Sequence, residues 1–200
     1  IAESAFADCS HIGRVIFSRG EGKLTLGNRC FANIPFTSLE IDRNFLIAED
    51  GVTAQHPFFA DEETAKTAAE VIFGENMKEI CSYALSAPGA GRFTTIQLGR
   101  GITDIKPYAL YGTGIEEITL YSAIENIGSN AFGSCGNLNE VKLYSDALKN
   151  ASIQDAFGPE TLQNVTLTVP AGTLSVFAKD TGWNKFHCIA ESDALFTVDG

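Results

Sequence analysis

One pattern of apolar residues recurs along this chain. Ile1, Ala5, Phe6, Cys9, Ile12, Val15 and Phe17 are spaced like Ile127, Ala131, Phe132, Cys135, Leu138, Val141 and Leu143. Ile105, Ala109, Leu110, Ile115, Ile118 and Leu120 follow the pattern with one deletion, and Ile80, Ala84, Leu85, Phe93, Ile96 and Leu98 follow it with two insertions. A unit of roughly 22 to 25 residues has no core of its own and buries its apolar side chains only against its neighbours. The repeat therefore predicts a solenoid, a single elongated domain.

Pairs of apolar residues two apart mark the register: Val15/Phe17, Leu39/Ile41, Val71/Phe73, Ile96/Leu98, Ile118/Leu120, Val141/Leu143 and Val165/Leu167. Such alternation belongs to a strand with one buried face. Seven strands, one per coil, predict a stacked parallel sheet about 29 Å long at ~4.8 Å per strand. A second column holds a small residue followed by Phe or Leu: Ala5-Phe6, Cys30-Phe31, Ala84-Leu85, Ala109-Leu110, Ala131-Phe132 and Ala156-Phe157. The small residue suits a tight backbone turn and the large one fills an apolar spine. The short segment around each pair is expected to be a single helical turn.

The third coil departs from the period, with 32 residues between Leu39 and Val71. Asp61 to Ile72 opens on acids and continues in helix formers, which predicts a helical insertion at about 60–72. Asp61 to Glu63 read as a helix start, not a metal site. After Val169-Pro170, Thr173 is expected to cap a helix ending near Gly182, and Trp183 and Phe186 to cover the last coil. Residues 170–191 are read as a terminal cap, 1–191 as the repeat domain, and 192–200 as a linker or the start of a following module.

The formal charge is −11, which repels phosphate backbones and anionic lipid, so nucleic acid is not an expected partner. No apolar run approaches the ~18–20 residues that span a bilayer. The chain opens within a repeat, at Ile1, so preceding native residues with an export signal are expected. Cys9, Cys30, Cys81, Cys135 and Cys188 include no C-x-x-C pair, and they read as unpaired small core residues. His11, His56 and His187 share no column and read as surface or loop histidines. Gly89-Ala-Gly91 and Gly112-Thr-Gly114 lack the Lys-Ser/Thr of a phosphate loop. No catalytic residue, metal or cofactor is expected.

Ile127-Gly128-x2-Ala131-Phe132-x2-Cys135-x2-Leu138-x2-Val141-x-Leu143 resembles the leucine-rich repeats of the bacterial surface-antigen (BspA-like) type. Leu167-Thr-Val-Pro-Ala-Gly-Thr-Leu174 and Gly182-Trp-Asn-Lys-Phe186 resemble the closing segment of such proteins. The resemblance spans 1–191, loosely over 42–70. It implies an α/β fold: a right-handed leucine-rich-repeat solenoid of about seven coils, with the parallel sheet on the concave face, short helical turns opposite and a C-terminal cap. It further implies a secreted or cell-surface protein, in some members an adhesin for host or bacterial surface proteins or glycans. The family supplies no catalytic residues. The asparagine ladder of ordinary leucine-rich repeats is missing here.

Residues between and beside the inward pairs face solvent on the sheet. Thr95, Gln97, Glu117, Thr119, Tyr121, Glu140, Lys142, Tyr144, Asn164 and Thr166 form the candidate ligand-binding face. Tyr121 and Tyr144 share a column, so their rings are expected to neighbour each other at about 5 Å. Tyrosine combines apolar area with a polar tip, as binding surfaces favour. The reading is a monomeric, non-catalytic binding module for a protein or glycan. The alternatives are a rigid spacer displaying another domain, and, last, an enzyme with a site assembled across coils.

Overall fold

The computed structural model describes residues 1–47, 56–58, 68–86, 91–153 and 155–193. It is a repeat protein of short parallel strands with few helices. The strands are β1 (Arg14–Phe17), β2 (Leu24–Leu26), β3 (Ser38–Ile41), β4 (Phe45–Ile47), β5 (Ala69–Phe73), β6 (Glu79–Ile80), β7 (Phe93–Gln97), β8 (Asp104–Ile105), β9 (Glu117–Leu120), β10 (Asn126–Ile127), β11 (Glu140–Leu143), β12 (Thr166–Pro170) and β13 (Cys188–Ser192). Two short α-helices, α1 (Pro159–Asn164) and α2 (Leu174–Phe177), lie near the C-terminal end.

The marker pairs lie in register. Val15 faces Leu39, Leu39 faces Val71, Val71 faces Ile96, and Ile118 faces Val141. All these pairings are parallel, one repeat apart. Alternate residues point inward, and Leu39, Val71, Val141 and Leu167 are fully buried. The strands do not form one continuous sheet, however. They form two four-stranded sheets, β1-β3-β5-β7 and β9-β11-β12-β13, with β7 and β9 each at an edge. The eighth strand, β13, comes from the segment expected to be cap, and it pairs with β12. The seventh pair also shifts: Val141 faces Leu167 and Lys142 faces Thr168, so the inward pair is Leu167/Val169. Val165 is the residue that caps α1.

A third ladder, β6-β8-β10, and the pair β2-β4 run elsewhere in the repeats. Strands of two or three residues are too short for alternation to reveal them in a sequence.

The turns expected to be helical are not. Ser4, Arg29, Tyr83, Tyr108, Asn130 and Asp155 each precede the small residue of a spine pair, and each has φ between 52° and 59°. In every case the small residue donates to the carbonyl three positions back, as Ala131 does to Gly128 at 3.1 Å and Ala156 to Ile153 at 3.1 Å. A turn with positive φ at its third position is of the type II kind. The left-handed conformation costs a non-glycine residue about 1 kcal/mol or more. Bonds to the next repeat offset that cost: Phe132 N–H donates to the Ala156 carbonyl and Leu110 N–H to Ala131, both at 2.9 Å.

The spine forms as a ladder of rings. Phe6 stacks on Phe31 at 5.2 Å, Phe31 on Phe58 at 5.8 Å, and Phe132 on Phe157 at 5.0 Å. Phe58 thus supplies the spine residue of the irregular third coil. Arg92 ties that coil together. It is 1% exposed, donates to the carbonyls of Ile34 (2.8 Å), Phe36 (3.1 Å) and Phe58 (3.3 Å), and lies 3.9 Å over the Phe36 ring. Burial lowers its pKa to about 10, so it stays cationic at neutral pH. Of the helical insertion expected at 60–72, residues 60–67 lie outside the described residues, and 69–72 belong to β5.

At the C-terminal end α2 closes at Phe177, well before Gly182. Thr173 holds the N-cap position, as expected, but its hydroxyl donates to the Pro170 carbonyl and makes no cap hydrogen bond; the Glu191 carboxylate accepts from Leu174 N–H at 2.7 Å. Trp183 is fully buried against Phe177 and Phe186, and its indole N–H donates to the Leu148 carbonyl at 3.0 Å. Phe186 meets Phe157 edge-on, which extends the spine.

The cysteines are all free thiols, but only three sit in the core. Cys30, Cys81 and Cys135 are buried, Cys9 is half-buried and Cys188 is exposed on β13. Nor is every histidine at the surface. The His56 ring is half-buried, with Nε2 2.9 Å from the Tyr83 carbonyl and Nδ1 accepting from Phe58 N–H.

Candidate binding face

The outward residues of the parallel strands make a polar face. β7 contributes Thr95 and Gln97, β9 contributes Glu117 and Thr119, and β11 contributes Glu140 and Lys142. Tyr121 and Tyr144 follow β9 and β11 directly. Thr166 is on β12, opposite Glu140, and Thr168 takes the column of Lys142. Asn164 is not on the sheet. It is the last residue of α1, where its amide donates to the Glu160 carbonyl.

Charge on the face is paired diagonally between neighbouring strands, from one column to the next. Gln97 donates to Glu70 at 2.9 Å, Arg14 pairs with Glu40, and Thr168 donates to Glu140 at 2.5 Å. Lys142 lies between Glu117 (2.5 Å) and Glu140 (3.6 Å). The Glu117 hydrogen bond is the main cause of a raised Lys142 pKa, so the ammonium persists through any physiological pH. Partly exposed pairs like these contribute about 0–1 kcal/mol each. Their larger effect is to hold side chains in fixed positions.

Tyr121 and Tyr144 sit with ring centroids 5.3 Å apart at 53°. Arg100 completes the group, its guanidinium 5.6 Å from one ring and 5.8 Å from the other. The sequence reading missed Arg100. Gly99 stands in the tyrosine column one repeat earlier, where the Gly74 backbone packs so closely that a Cβ would lie 2.3 Å from its carbonyl oxygen, so the column has no side chain there to flag. A groove of about 860 Å³ opens beside these residues. Thr95, Gln97, Glu117, Thr119, Tyr121 and Arg100 line it.

Two of the buried thiols are held protonated. Burial raises the Cys30 thiol to about 11 and the Cys81 thiol to about 12, so neither is a thiolate near neutral pH. Among the described residues no three His, Cys, Asp or Glu side chains are grouped to hold a metal. Among the same residues no helix is long and apolar enough to cross a membrane.

The model of the BspA type leucine rich repeat region matches six copies over residues 1–54 and 62–178. The chain belongs to the BspA-type leucine-rich repeat family. No curated protein sequence matches it. Two solved structures are similar in fold. One is a leucine rich cell surface protein from Faecalibacterium prausnitzii A2-165, with 13% identity and a TM-score of 0.40 over 92% of this chain and 67% of that one. The other is the pneumococcal vaccine antigen PcpA, with 12% identity and a TM-score of 0.46 over 96% of this chain and 65% of that one. The chain thus spans about two-thirds of the length of each.

Proposed function

We propose that this BspA-type repeat module is a non-catalytic recognition element of a secreted or cell-surface protein. The strand face forms the concave side of a right-handed solenoid and binds a protein or glycan in an adhesin-like way. Residues 170–191 close the last coil, and the module acts as a monomer. The observation that carries this reading is the Tyr121–Tyr144–Arg100 group. Two tilted rings and a guanidinium share one polar face, beside a groove, just past the ends of β7, β9 and β11. Such a surface stacks on sugar rings or on peptide side chains through apolar area and still offers hydroxyl and guanidinium hydrogen bonds. The diagonal pairs between strands pre-order the neighbouring side chains, which lowers the entropy cost of binding.

The test is a binding screen against immobilised matrix proteins and a glycan array, with the parent and a Tyr121→Ala/Tyr144→Ala variant of matched stability. Saturable binding that weakens about tenfold or more in the variant is expected, since tyrosines at binding hot spots carry ~2 kcal/mol or more. Equal binding by both would move the site off this face. No binding by either would favour a spacer role.

A further inference from the structure

β7 and β9 are neighbours in the stack, yet each is the edge of its own sheet. The break falls at an irregular strand, β7. Phe93 faces Ala69 but Thr95 faces Glu70, so Thr94 is an extra residue. A bulge of this kind bends and twists the strand that carries it. The two strands stay tied near their N-terminal ends, where Gly114 N–H donates to the Phe93 carbonyl at 3.0 Å. Gly91 and Gly114 approach so closely there that a Cβ on Gly114 would lie 2.2 Å from the Gly91 carbonyl oxygen. Beyond that point the two strands share no ladder, and residues of both line the 860 Å³ groove. Ile96 and Leu98 are 6% exposed at this opening, whereas Leu39, Val71 and Val141 are fully covered.

Backbone directions follow from the ladders. The Glu116 and Leu120 carbonyls accept from Glu140 and Tyr144, so the even residues of β9 face β11. Alternation turns the N–H and C=O of Glu117 and Thr119 toward β7. On β5, Glu70 and Gly74 donate to Thr37 and Ile41, so Val71 faces β7. Its ladder bonds go to Thr95 and Gln97, which flank its partner Ile96. The N–H and C=O of Ile96 therefore face β9. Two edges with backbone groups aimed at each other template a strand. Of the residues lining the groove, Glu75, Glu116 and Glu117 are acidic and Arg100 is basic; Glu117 is already paired with Lys142, which leaves Glu75 and Glu116 to face an incoming cation.

We propose that an extended polypeptide segment carrying lysine or arginine inserts between β7 and β9 as an added strand. Its amides bond Ile96 and Thr119, and its basic side chain meets Glu75 and Glu116. This rests on the reading of the strand face as a recognition surface, and it specifies a peptide as the ligand.

The test selects a displayed library of random dodecapeptides on the chain. Selected peptides are expected to be basic and β-branched, and to bind Thr119→Pro about tenfold or more weakly, in line with loss of a backbone hydrogen bond. Proline deletes one N–H on an edge where it is tolerated, and Thr119→Ala, which keeps the N–H, is expected to bind like the parent. A second measurement leaves the protein unaltered. Peptides N-methylated at alternate amides should lose binding in one parity and keep it in the other. Failure to select any peptide overturns the proposal, as does selection of peptides indifferent to both Thr119→Pro and N-methylation. Glycan binding that depends on Tyr121 and Tyr144, with no peptide selected, keeps the recognition face and removes the inserted strand.

Discussion

Two phenylalanines of one spine column should respond very differently to truncation. Phe132 is fully buried and stacks on Phe157 at 5.0 Å. Phe6 is 41% exposed and stacks only on Phe31. Phe132→Ala removes a whole buried ring, leaves a cavity and breaks a stacked pair, for an expected loss of about 3–5 kcal/mol. Phe6→Ala loses roughly half as much buried area and leaves an open surface that water can occupy, for about 1–1.5 kcal/mol. The difference, about 2–3 kcal/mol, is the weight of a neighbour on both sides, on which a repeat stack depends. Urea unfolding of parent and both variants measures it, provided the m-values agree. Equal losses would refute the reasoning, because the column would then not act as a continuous stacked core.

Other outcomes follow from single residues. Arg92→Lys should cost about 2–3 kcal/mol in urea unfolding, because one ammonium cannot reach the three carbonyls that the guanidinium fork serves, and buried acceptors are left unmet. His56 gives a pH dependence. Burial lowers its pKa from 6.5 to about 4, so between those values the unfolded chain holds a proton that the folded chain lacks. Stability from this group is complete above ~6.5 and is lost as pH falls toward ~4, by about 2 kcal/mol allowing for partial exposure. His56→Gln should remove that part of the slope in urea midpoints measured across the window.

The repeat was legible because its apolar columns are periodic, and the strand register could be read from six of the seven pairs. What escaped has physical causes. Val165/Leu167 satisfies the alternation as well as Leu167/Val169 does, and only the ladder with β11 chooses between them. That choice sends Asn164 into α1 and brings Thr168 onto the face. The left-handed turns fall on Ser, Arg, Tyr, Asn and Asp, residues that do not advertise positive φ as glycine would, since the bonds that stabilise them come from the next repeat. The break between β7 and β9 falls at the strand that carries one extra residue, Thr94, which in a repeat of varying length looks like an ordinary insertion. Arg100 reaches the tyrosines across a repeat, a contact that exists only once the coils are stacked.

The division of the strand face at β7 and β9 carries the groove, and with it the recognition account. Residue-resolved NMR hydrogen exchange of the free chain tests it most directly. The Thr119 amide, on the open edge, should exchange about a hundredfold or more faster than the Lys142 amide, which the β9–β11 ladder holds. Equal protection of the two would mean a continuous sheet with no groove, and would contradict the account.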